Sequence, residues 1–271
     1  MKTLVLTCIL FLCGCSTAFP SDTIQNSGTV NGAPKGDFRS TVRGGIGAQG
    51  MLVLFFPTDI NSYVKDLNAA IKGQFAAFIS SNESHTMHWR YGYSLNAEIR
   101  VCSLIQVEPY WERIYAFPLQ ILYQAMIGVG SLDATYKYQL SSDEKGVSVL
   151  LVPGSKKRSV FLTLGAGFGI LDGQFSQSAK GDKWMNGIHT ALDYTKTYKG
   201  TANAYHGTVG LTFVPWHYLE LELLLNGKYA LVKTLKDEAG NTFTNVYREN
   251  EPVSLNLSGA DLRIGCKFIF P

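Results

Sequence analysis

After its first twenty residues the chain lacks any long apolar run. No later segment approaches the roughly 20 consecutive apolar residues of a membrane-spanning helix, which excludes a helical membrane protein. Charge of one sign is also scarce, because the formal net charge is +3, too small and too evenly spread to predict nucleic-acid binding. Of five cysteines, only Cys102 and Cys266 lie beyond this leader. Their separation predicts neither a metal site nor a disulfide framework, so both are interpreted as small apolar fillers.

Catalytic signatures are missing as well. The histidines show no zinc-like spacing, and none lies in a local motif with an activated nucleophile. The sequence therefore predicts no catalytic residue, no metal ligand, no cofactor and no enzymatic activity, with a lipid-modifying enzyme left as an alternative. The five histidines are His85, His88, His189, His206 and His217.

Glycine and aromatic residues, by contrast, are abundant. The 27 Gly, 14 Tyr and 15 Phe favour strands and turns over a helical bundle. Residues 159–174 show the clearest alternation, with small or polar residues between apolar ones. About eleven alternating residues suffice for a strand to cross a bilayer, where apolar side chains must face outward. The apolar face of this segment comprises Val160, Leu162, Leu164, Ala166, Phe168 and Ile170.

The same alternation predicts eight strands, and the segment Ile121 to Leu140 leaves ten open. Links between the strands are alternately long and short, the asymmetry of outer-membrane barrels with short periplasmic turns. An even strand number places both chain ends in the periplasm. The expected fold is all-β, a closed antiparallel up-and-down transmembrane barrel over residues 39–271. The predicted strands are Thr41 to Phe56, Tyr91 to Val101, Ile105 to Ala116, Gly146 to Val152, Ser159 to Gln174, Ala204 to Val214, Leu219 to Asn226 and Asp261 to Phe270.

The first long link contains a helical pattern from Asp59 to Ile79, with Thr58 as N-cap. Its apolar residues recur at spacings of three and four, so one face must be buried. Packing across the barrel mouth or lying in the outer-leaflet interface is expected, rather than docking to a partner. The apolar face comprises Ile60, Tyr63, Val64, Leu67, Ile71, Phe75 and Phe78.

The N-terminus has the pattern of an export signal over residues 1–18, because Lys2 precedes a short apolar run. Two cleavage sites compete. Leu12-Cys13-Gly14-Cys15 resembles a lipobox and would leave Cys15 lipidated, whereas Ser16-Thr17-Ala18 suits ordinary signal peptidase. Residues 19–38 lack periodicity and are expected to form a flexible periplasmic tether.

Charged residues of both signs lie on the predicted inner faces of the strands. Because side chains fill the interior of an eight-stranded barrel, these charges are expected to pair and close the lumen. A narrow ion or small-solute channel stays an alternative. The predicted lumen network comprises Arg43, Glu98, Arg100, Glu108, Glu112, Glu220, Glu222, Lys228, Asp261, Arg263 and Lys267.

Aromatic residues near the predicted strand ends fit the girdles of a membrane barrel. A soluble secreted barrel that binds a small apolar ligand is a further alternative, because periodicity alone cannot distinguish the two faces. Glycines and charges share one face on several strands, which argues against a soluble barrel with an apolar interior. The interfacial aromatics are Tyr91, Trp111, Tyr115, Trp216 and Tyr218.

With these features, residues 39–271 resemble the small eight-stranded outer-membrane barrels of Gram-negative bacteria, typified by the transmembrane domain of outer membrane protein A and its X-type relatives. The glycine-rich fifth strand and the C-terminal Phe268-Ile269-Phe270 carry the resemblance. It implies an outer-membrane location, in contact with outer-membrane lipid and lipopolysaccharide. It also implies that the barrel-insertion machinery reads Phe268 and Phe270, although Pro271 departs from the family's terminal aromatic.

Members of this family range from structural anchors to adhesins, so the resemblance implies location more firmly than activity. The expected role is structural, or an interaction at the surface with an extracellular or cell-envelope partner. Long external loops would carry this interaction, because they can vary while the barrel holds them.

Overall fold

The computed structural model describes residues 43–74, 78–80, 87–101, 104–127, 130–152 and 159–270. This part of the chain is mainly antiparallel strand, with one helix, α1 (Thr58–Gln74). In this described part, no helix is long and apolar enough to span a membrane. The predicted export signal, Cys15, the tether, Cys102 and Pro271 lie outside the described residues. The strands are β1 (Arg43–Phe55), β2 (Phe78–Ser80), β3 (Trp89–Arg100), β4 (Ile105–Ala116), β5 (Leu119–Ile127), β6 (Gly130–Leu151), β7 (Val160–Met185), β8 (Ile188–Trp216), β9 (Leu219–Val232), β10 (Thr244–Asn245), β11 (Glu251–Pro252), β12 (Leu255–Asn256) and β13 (Gly259–Phe270).

Eight strands form a closed antiparallel ring. β1, β3, β4, β6, β7, β8, β9 and β13 pair in that order, and β13 returns to β1 from Gly44 opposite Phe270 to Phe55 opposite Gly259. Closure pairs each of the eight strands with a neighbour on both sides, which removes the sheet edges of an open sheet from the ring. The ten-strand alternative is wrong, because β5 does not add to the ring. It continues the line of β4 and pairs with the first part of β6.

Three ring strands are much longer than predicted. The predicted fourth strand, Gly146 to Val152, is only the end of the 22-residue β6. The 26-residue β7 and the 29-residue β8 meet at Asn186-Gly187, where the φ angles are 53° and 78°. The predicted long link over residues 175–203 is therefore a two-stranded hairpin. An Asn-Gly turn with two positive φ angles favours this structure because its twist matches that of the strands.

The two ends of the ring differ. The strand ends that the three short links join, Arg100 and Ile105, Leu151 and Val160, and Trp216 and Leu219, lie at one end of the ring, here called the turn end. Both ends of the described barrel also lie there, since Arg43 pairs with Arg100, next to the first short link. At the opposite, hairpin end, β5 to β8 continue beyond the other strands.

The wall reverses its inside-outside pattern part way along. On β7 the outward residues Val160, Leu162, Leu164, Phe168 and Ile170 are apolar and 39–54% exposed. The next outward residues, 172, 174, 176 and 178, are Asp, Gln, Ser and Ser. This exposed apolar band, here called the belt, is about eleven residues tall on β7, the length with which a strand crosses a bilayer.

The inward residues change in the opposite sense. Within the belt most of them are polar or small, with a few buried apolar residues such as Phe161 and Leu224, but beyond it they form a large apolar cluster, here called the hairpin-end core. A wall surrounded by water favours polar residues outside and apolar residues inside. A wall surrounded by lipid favours apolar residues outside, which is the arrangement in the belt. Members of the core include Phe55, Tyr138, Leu140, Leu171, Phe175, Val232, Phe243 and Leu255.

Helix α1 packs into this core, across the mouth of the barrel. Packing across the mouth was one of the two positions predicted for this helix. Ile60 and Val64 are fully buried, and the Tyr63 ring centroid lies 4.9 Å from that of Phe243 and 6.5 Å from that of Phe175. The helix starts at Thr58, the predicted N-cap and one residue before the predicted start, but it ends at Gln74, so the predicted end at Ile79 is wrong. Phe78 and Ile79 belong to β2, which pairs with β5. Phe75 lies outside the described residues.

Candidate functional site

The structure places ten of the eleven predicted lumen charges inside the belt, none of them more than 9% exposed. The side chain of Arg43 lies outside the described residues. The strand alternation puts the ten on inner faces, and ring closure brings them together from four strands. They are Glu98, Arg100, Glu108, Glu112, Glu220, Glu222, Lys228, Asp261, Arg263 and Lys267.

Lys267 forms the centre of the first cluster. Its side chain is fully buried, contacts a carboxylate oxygen of Glu108, and lies 2.6 Å from Glu222 Oε1. The amide of Gln49 donates to the other oxygen of Glu222 at 2.8 Å. Gly47 lies opposite Lys267 in the ladder, and a Cβ there would meet the lysine chain at 2.5 Å. The glycine face of β1 therefore makes room for this cation.

Lys228 and Arg263 form a second cluster nearer the hairpin end. The Lys228 ammonium contacts Glu112 and lies 2.8 Å from Glu144 Oε2. The Arg263 guanidinium lies 3.1 Å from Glu112 and donates to Asp261 at 3.2 Å. Two cations thus share three carboxylates in one buried group.

Arg100 forms a third cluster near the turn end. Its Nη2 lies 3.1 Å from Glu98 and 3.4 Å from Glu220, and donates to Gln106 Oε1 at 2.9 Å. The three clusters together distribute paired charges along the lumen of the belt. Breaking such pairs is costly, because each partner would be left as an uncompensated buried charge.

Sequence reasoning missed Glu144 and Ser148, which contact two inward residues of other strands, Tyr110 and His206. The hydroxyl of Tyr110 donates to Glu144, and Ser148 Oγ lies 3.0 Å from Nε2 of His206. Gly167 faces the His206 ring, and a Cβ there would collide with it. Glu144 escaped notice because residues 117–145 were assigned to a link. The alternation of Glu144 and Ser148 with Lys145 and Val147 was the signal that could have found it.

Apolar side chains close the hairpin end of the lumen. Arg90, 2% exposed, lies at the transition, with its Cζ 3.4 Å from the Phe55 ring centroid and its Nη2 donating to Leu257 O at 3.4 Å. Beyond it, Tyr138 stacks on Phe175 with ring centroids 6.2 Å apart. Burial raises the pKa of the Tyr138 phenol well above its usual range. The lumen thus passes from paired charges into a packed apolar core.

Helix α1 is also held from its solvent side. Asp66 accepts hydrogen bonds from Arg248 Nε at 2.6 Å and from Asn245 Nδ2 at 2.8 Å. The Arg248 hydrogen bond lowers the pKa of the Asp66 carboxyl. These contacts join the long link between β9 and β13 to helix α1, which closes the mouth of the barrel.

The predicted interfacial aromatics all point outward from the ring. Tyr91 and Tyr115 stack with ring centroids 5.8 Å apart towards the hairpin end, and Trp216 stacks on Tyr218 at 6.2 Å at the turn end. Trp111 packs edge-on against Tyr93 at 5.6 Å on the outer wall. Aromatic rings therefore lie near both borders of the belt, as in the girdles of membrane barrels.

The last strand has its aromatics and its cysteine on the outer surface. Phe268 and Phe270, the predicted insertion signal, are 52% and 48% exposed at the turn end. Cys266 faces the same side as a free, half-buried thiol. Among the residues that the structure describes, no three His, Cys, Asp or Glu side chains group as metal ligands would.

The β7–β8 hairpin projects beyond the hairpin-end core. Trp184 and Ile188 at its tip are 47% and 67% exposed. His189 Nε2 lies 2.8 Å from Asp182 Oδ1, and its ring lies 4.6 Å from that of Trp184. Over residues 188–198, β8 has ladder pairs only with β7 among the described residues. Its other edge there carries free backbone groups.

Comparisons with known proteins add little to this geometry. No family model matches the chain, and no curated protein matches it. Among solved structures it is similar to the outer membrane protein OprG from Pseudomonas aeruginosa, with 9% identity over 86% of this chain and 98% of that one and a TM-score of 0.43. It is also similar to a major outer membrane protein from Thermus thermophilus, with 12% identity over 83% and 99% and a TM-score of 0.42. Neisserial surface protein A matches with 10% identity over 83% and 96% and a TM-score of 0.37.

Because these TM-scores are low, the fold is assigned from the strand pairing itself and not from these similarities. That pairing gives a closed ring of eight antiparallel strands. An exposed apolar belt surrounds buried charges of both signs. The chain has the fold of the small eight-stranded outer-membrane β-barrels.

Proposed function

We propose that the protein is an integral outer-membrane barrel with a closed lumen, and that its hairpin end acts in surface interaction outside the cell. The observation that carries this proposal is the reversal of polarity along β7, from exposed Ile170 to exposed Asp172. Such a reversal fits a wall that leaves lipid and enters water. The strands then continue for about fifteen residues, roughly 50 Å at 3.3 Å per residue before tilt.

The tip of the β7–β8 hairpin is the part of this surface best suited to a protein partner. Residues 188–198 of β8 offer a free strand edge, to which an extended segment of another protein could add by backbone hydrogen bonds. Trp184 and Ile188 supply exposed apolar area beside that edge. Trp is a frequent contributor to binding energy at protein interfaces.

The alternatives fit the same geometry less well. A channel would need a path through three ion-paired clusters and the hairpin-end core, so steady conductance in planar bilayers would support a channel over the present proposal. A soluble binder would not expose apolar residues over a whole band. An enzyme would need a reachable nucleophile, and Ser148, although close to His206, lies buried inside the lumen. We therefore propose no enzymatic role.

Labelling of intact cells tests both the location and the orientation. In a chain with Cys102→Ser and Cys266→Ser, Thr190→Cys at the hairpin tip is expected to react with a membrane-impermeant maleimide in intact cells. The matched variant His217→Cys, in the turn between β8 and β9, is expected to react only after the outer membrane is permeabilised. This result would place the turn end, and with it both ends of the described barrel, in the periplasm. The opposite labelling pattern would invert the barrel and refute the proposed surface role.

A further inference from the structure

The outer wall carries a cavity of about 640 Å³ at the hairpin-end border of the belt, between β8 and β9. The cavity exists because these strands part. Their ladder ends where Ala204 meets Ala230, and the next ladder pair between the two segments, among the described residues, is the bridge between Lys199 and Lys236. In between, Leu231 and Val232 pair with β12 on the other side of β9.

Glycine closes the far side of this opening. Gly200 packs against the backbone of Thr234, and a Cβ at that position would collide with its carbonyl oxygen. The wall therefore separates over a short stretch and then rejoins, which leaves a bounded recess rather than an open edge. The interior behind it is filled, because Ala204, Ala230 and Val232 are fully buried in the hairpin-end core.

The lining of the recess changes from aromatic to cationic along the barrel. Tyr205 and Tyr229, 51% and 59% exposed, lie on the belt side. Lys233, Thr201 and Asn203 lie on the side away from the belt. Lys199, on an outward position of β8, and Lys233, the first residue after β9, are both exposed.

Acidic groups nearby are already engaged. Asp172 on β7 accepts a hydrogen bond from Thr201 Oγ1 at 2.8 Å. Asp237, in the link after β9, accepts from the backbone and side chain of Asn241 within its own turn. Both aspartates keep their negative charge but do not line the recess, where Lys233 is the one charged residue among the described lining residues.

The height of the recess indicates its ligand. Tyrosines at the edge of a lipid-facing band lie at headgroup level, where one end of the ring is apolar and the other is wet. A lysine just beyond them meets the anionic part of a headgroup. Phosphate is such a group, and an ammonium binds it as a point charge.

We propose that this recess binds the phosphorylated sugar headgroup of an outer-leaflet glycolipid, with Lys233 contacting a phosphate and Tyr205 and Tyr229 packing against the sugar and the first acyl carbons. The proposal rests on the outer-membrane placement proposed above. It adds a defined lipid site on the wall, separate from the hairpin tip.

Native mass spectrometry of the purified full chain in detergent tests the site, with diphosphorylated lipid A as the probe. Lys233→Ala is expected to weaken lipid binding about fivefold, the effect of one lysine at an anionic surface. Tyr229→Ala should weaken it as well. The matched control is Lys137→Ala, which removes an exposed outward lysine on β6. All variants should keep heat-modifiable migration on gels, since these side chains are exposed.

Two further arms define the ligand. Dephosphorylated lipid A should bind the wild-type chain about as weakly as diphosphorylated lipid A binds Lys233→Ala. Inorganic phosphate at millimolar concentration should not displace the bound lipid, and displacement would overturn the lipid assignment in favour of a free-anion site. Equal losses for Lys233→Ala and Lys137→Ala would overturn the site itself. Because these measurements use detergent, their failure would leave the cell-labelling result for the barrel's placement unaffected.

Discussion

Replacing Lys267 by methionine is expected to lower the free energy of unfolding of the barrel by about 3–5 kcal/mol. Lys267 is fully buried and faces Glu108 and Glu222. Methionine has a similar length but no charge, so both carboxylates would stay buried without their cation. Urea unfolding in lipid vesicles, followed by tryptophan fluorescence, measures the loss.

Removing the whole cluster provides the control. In the triple variant Lys267→Met, Glu108→Gln and Glu222→Gln, no charge is left unpaired, so most of the lost stability should return. Lys228→Met should cost less than Lys267→Met, because Arg263 also lies beside Glu112 and compensates part of its charge. A Lys267→Met barrel as stable as the wild type would show that these charges do not form the buried network described above.

Replacing Phe175 by alanine is expected to destabilise the hairpin-end core by about 3–5 kcal/mol, the usual cost of a large cavity at a buried phenylalanine. The ring is fully buried and lies between those of Tyr138 and Phe243, with centroids 6.2 Å and 5.3 Å away. Since α1 packs on the same core, its amide hydrogens should exchange faster in the reconstituted variant. Hydrogen exchange read by mass spectrometry, peptide by peptide, reports this change.

The matched control is Phe168→Ala on the same strand. Phe168 is 42% exposed on the outer side of the belt, so its removal should leave exchange in α1 unchanged. If Phe175→Ala also left α1 unchanged, the helix would not depend on the hairpin-end core. The proposed closure of the barrel mouth would then lose its structural basis.

The belt could be predicted from the sequence because lipid imposes a strict period of two. Along β7 the apolar residues predicted to face lipid, every second residue from Val160 to Ile170, do face outward, whereas Phe161 faces inward. The third strand, Ile105 to Ala116, was predicted with its observed bounds. Inner charges such as Lys267 could be assigned to a face by the same alternation. Their partners could not, because pairing across the lumen depends on the stagger of strands distant in sequence.

Beyond the belt the same reasoning failed for a physical reason. On β6 and β7 the polar face moves from inside to outside at Lys145 and Asp172. A strand prediction that expects apolar residues outside and polar residues inside therefore stops at these two residues. The polar stretch that follows was therefore interpreted as a loop. Asn186-Gly187 was the local signal of a hairpin, and it could have corrected the interpretation. The recess between β8 and β9 depends on where two ladders part, which no local pattern shows.

Spin labels along the outer row of β7 test the central claim, that the belt faces lipid and the rest of the wall faces water. Single cysteines at Leu162, Ala166, Ile170, Gln174 and Ser178 would carry the label in the reconstituted protein. The first three should be more accessible to oxygen, which partitions into lipid, and the last two to a water-soluble nickel complex. Uniform access of the nickel complex to all five positions would contradict the membrane barrel.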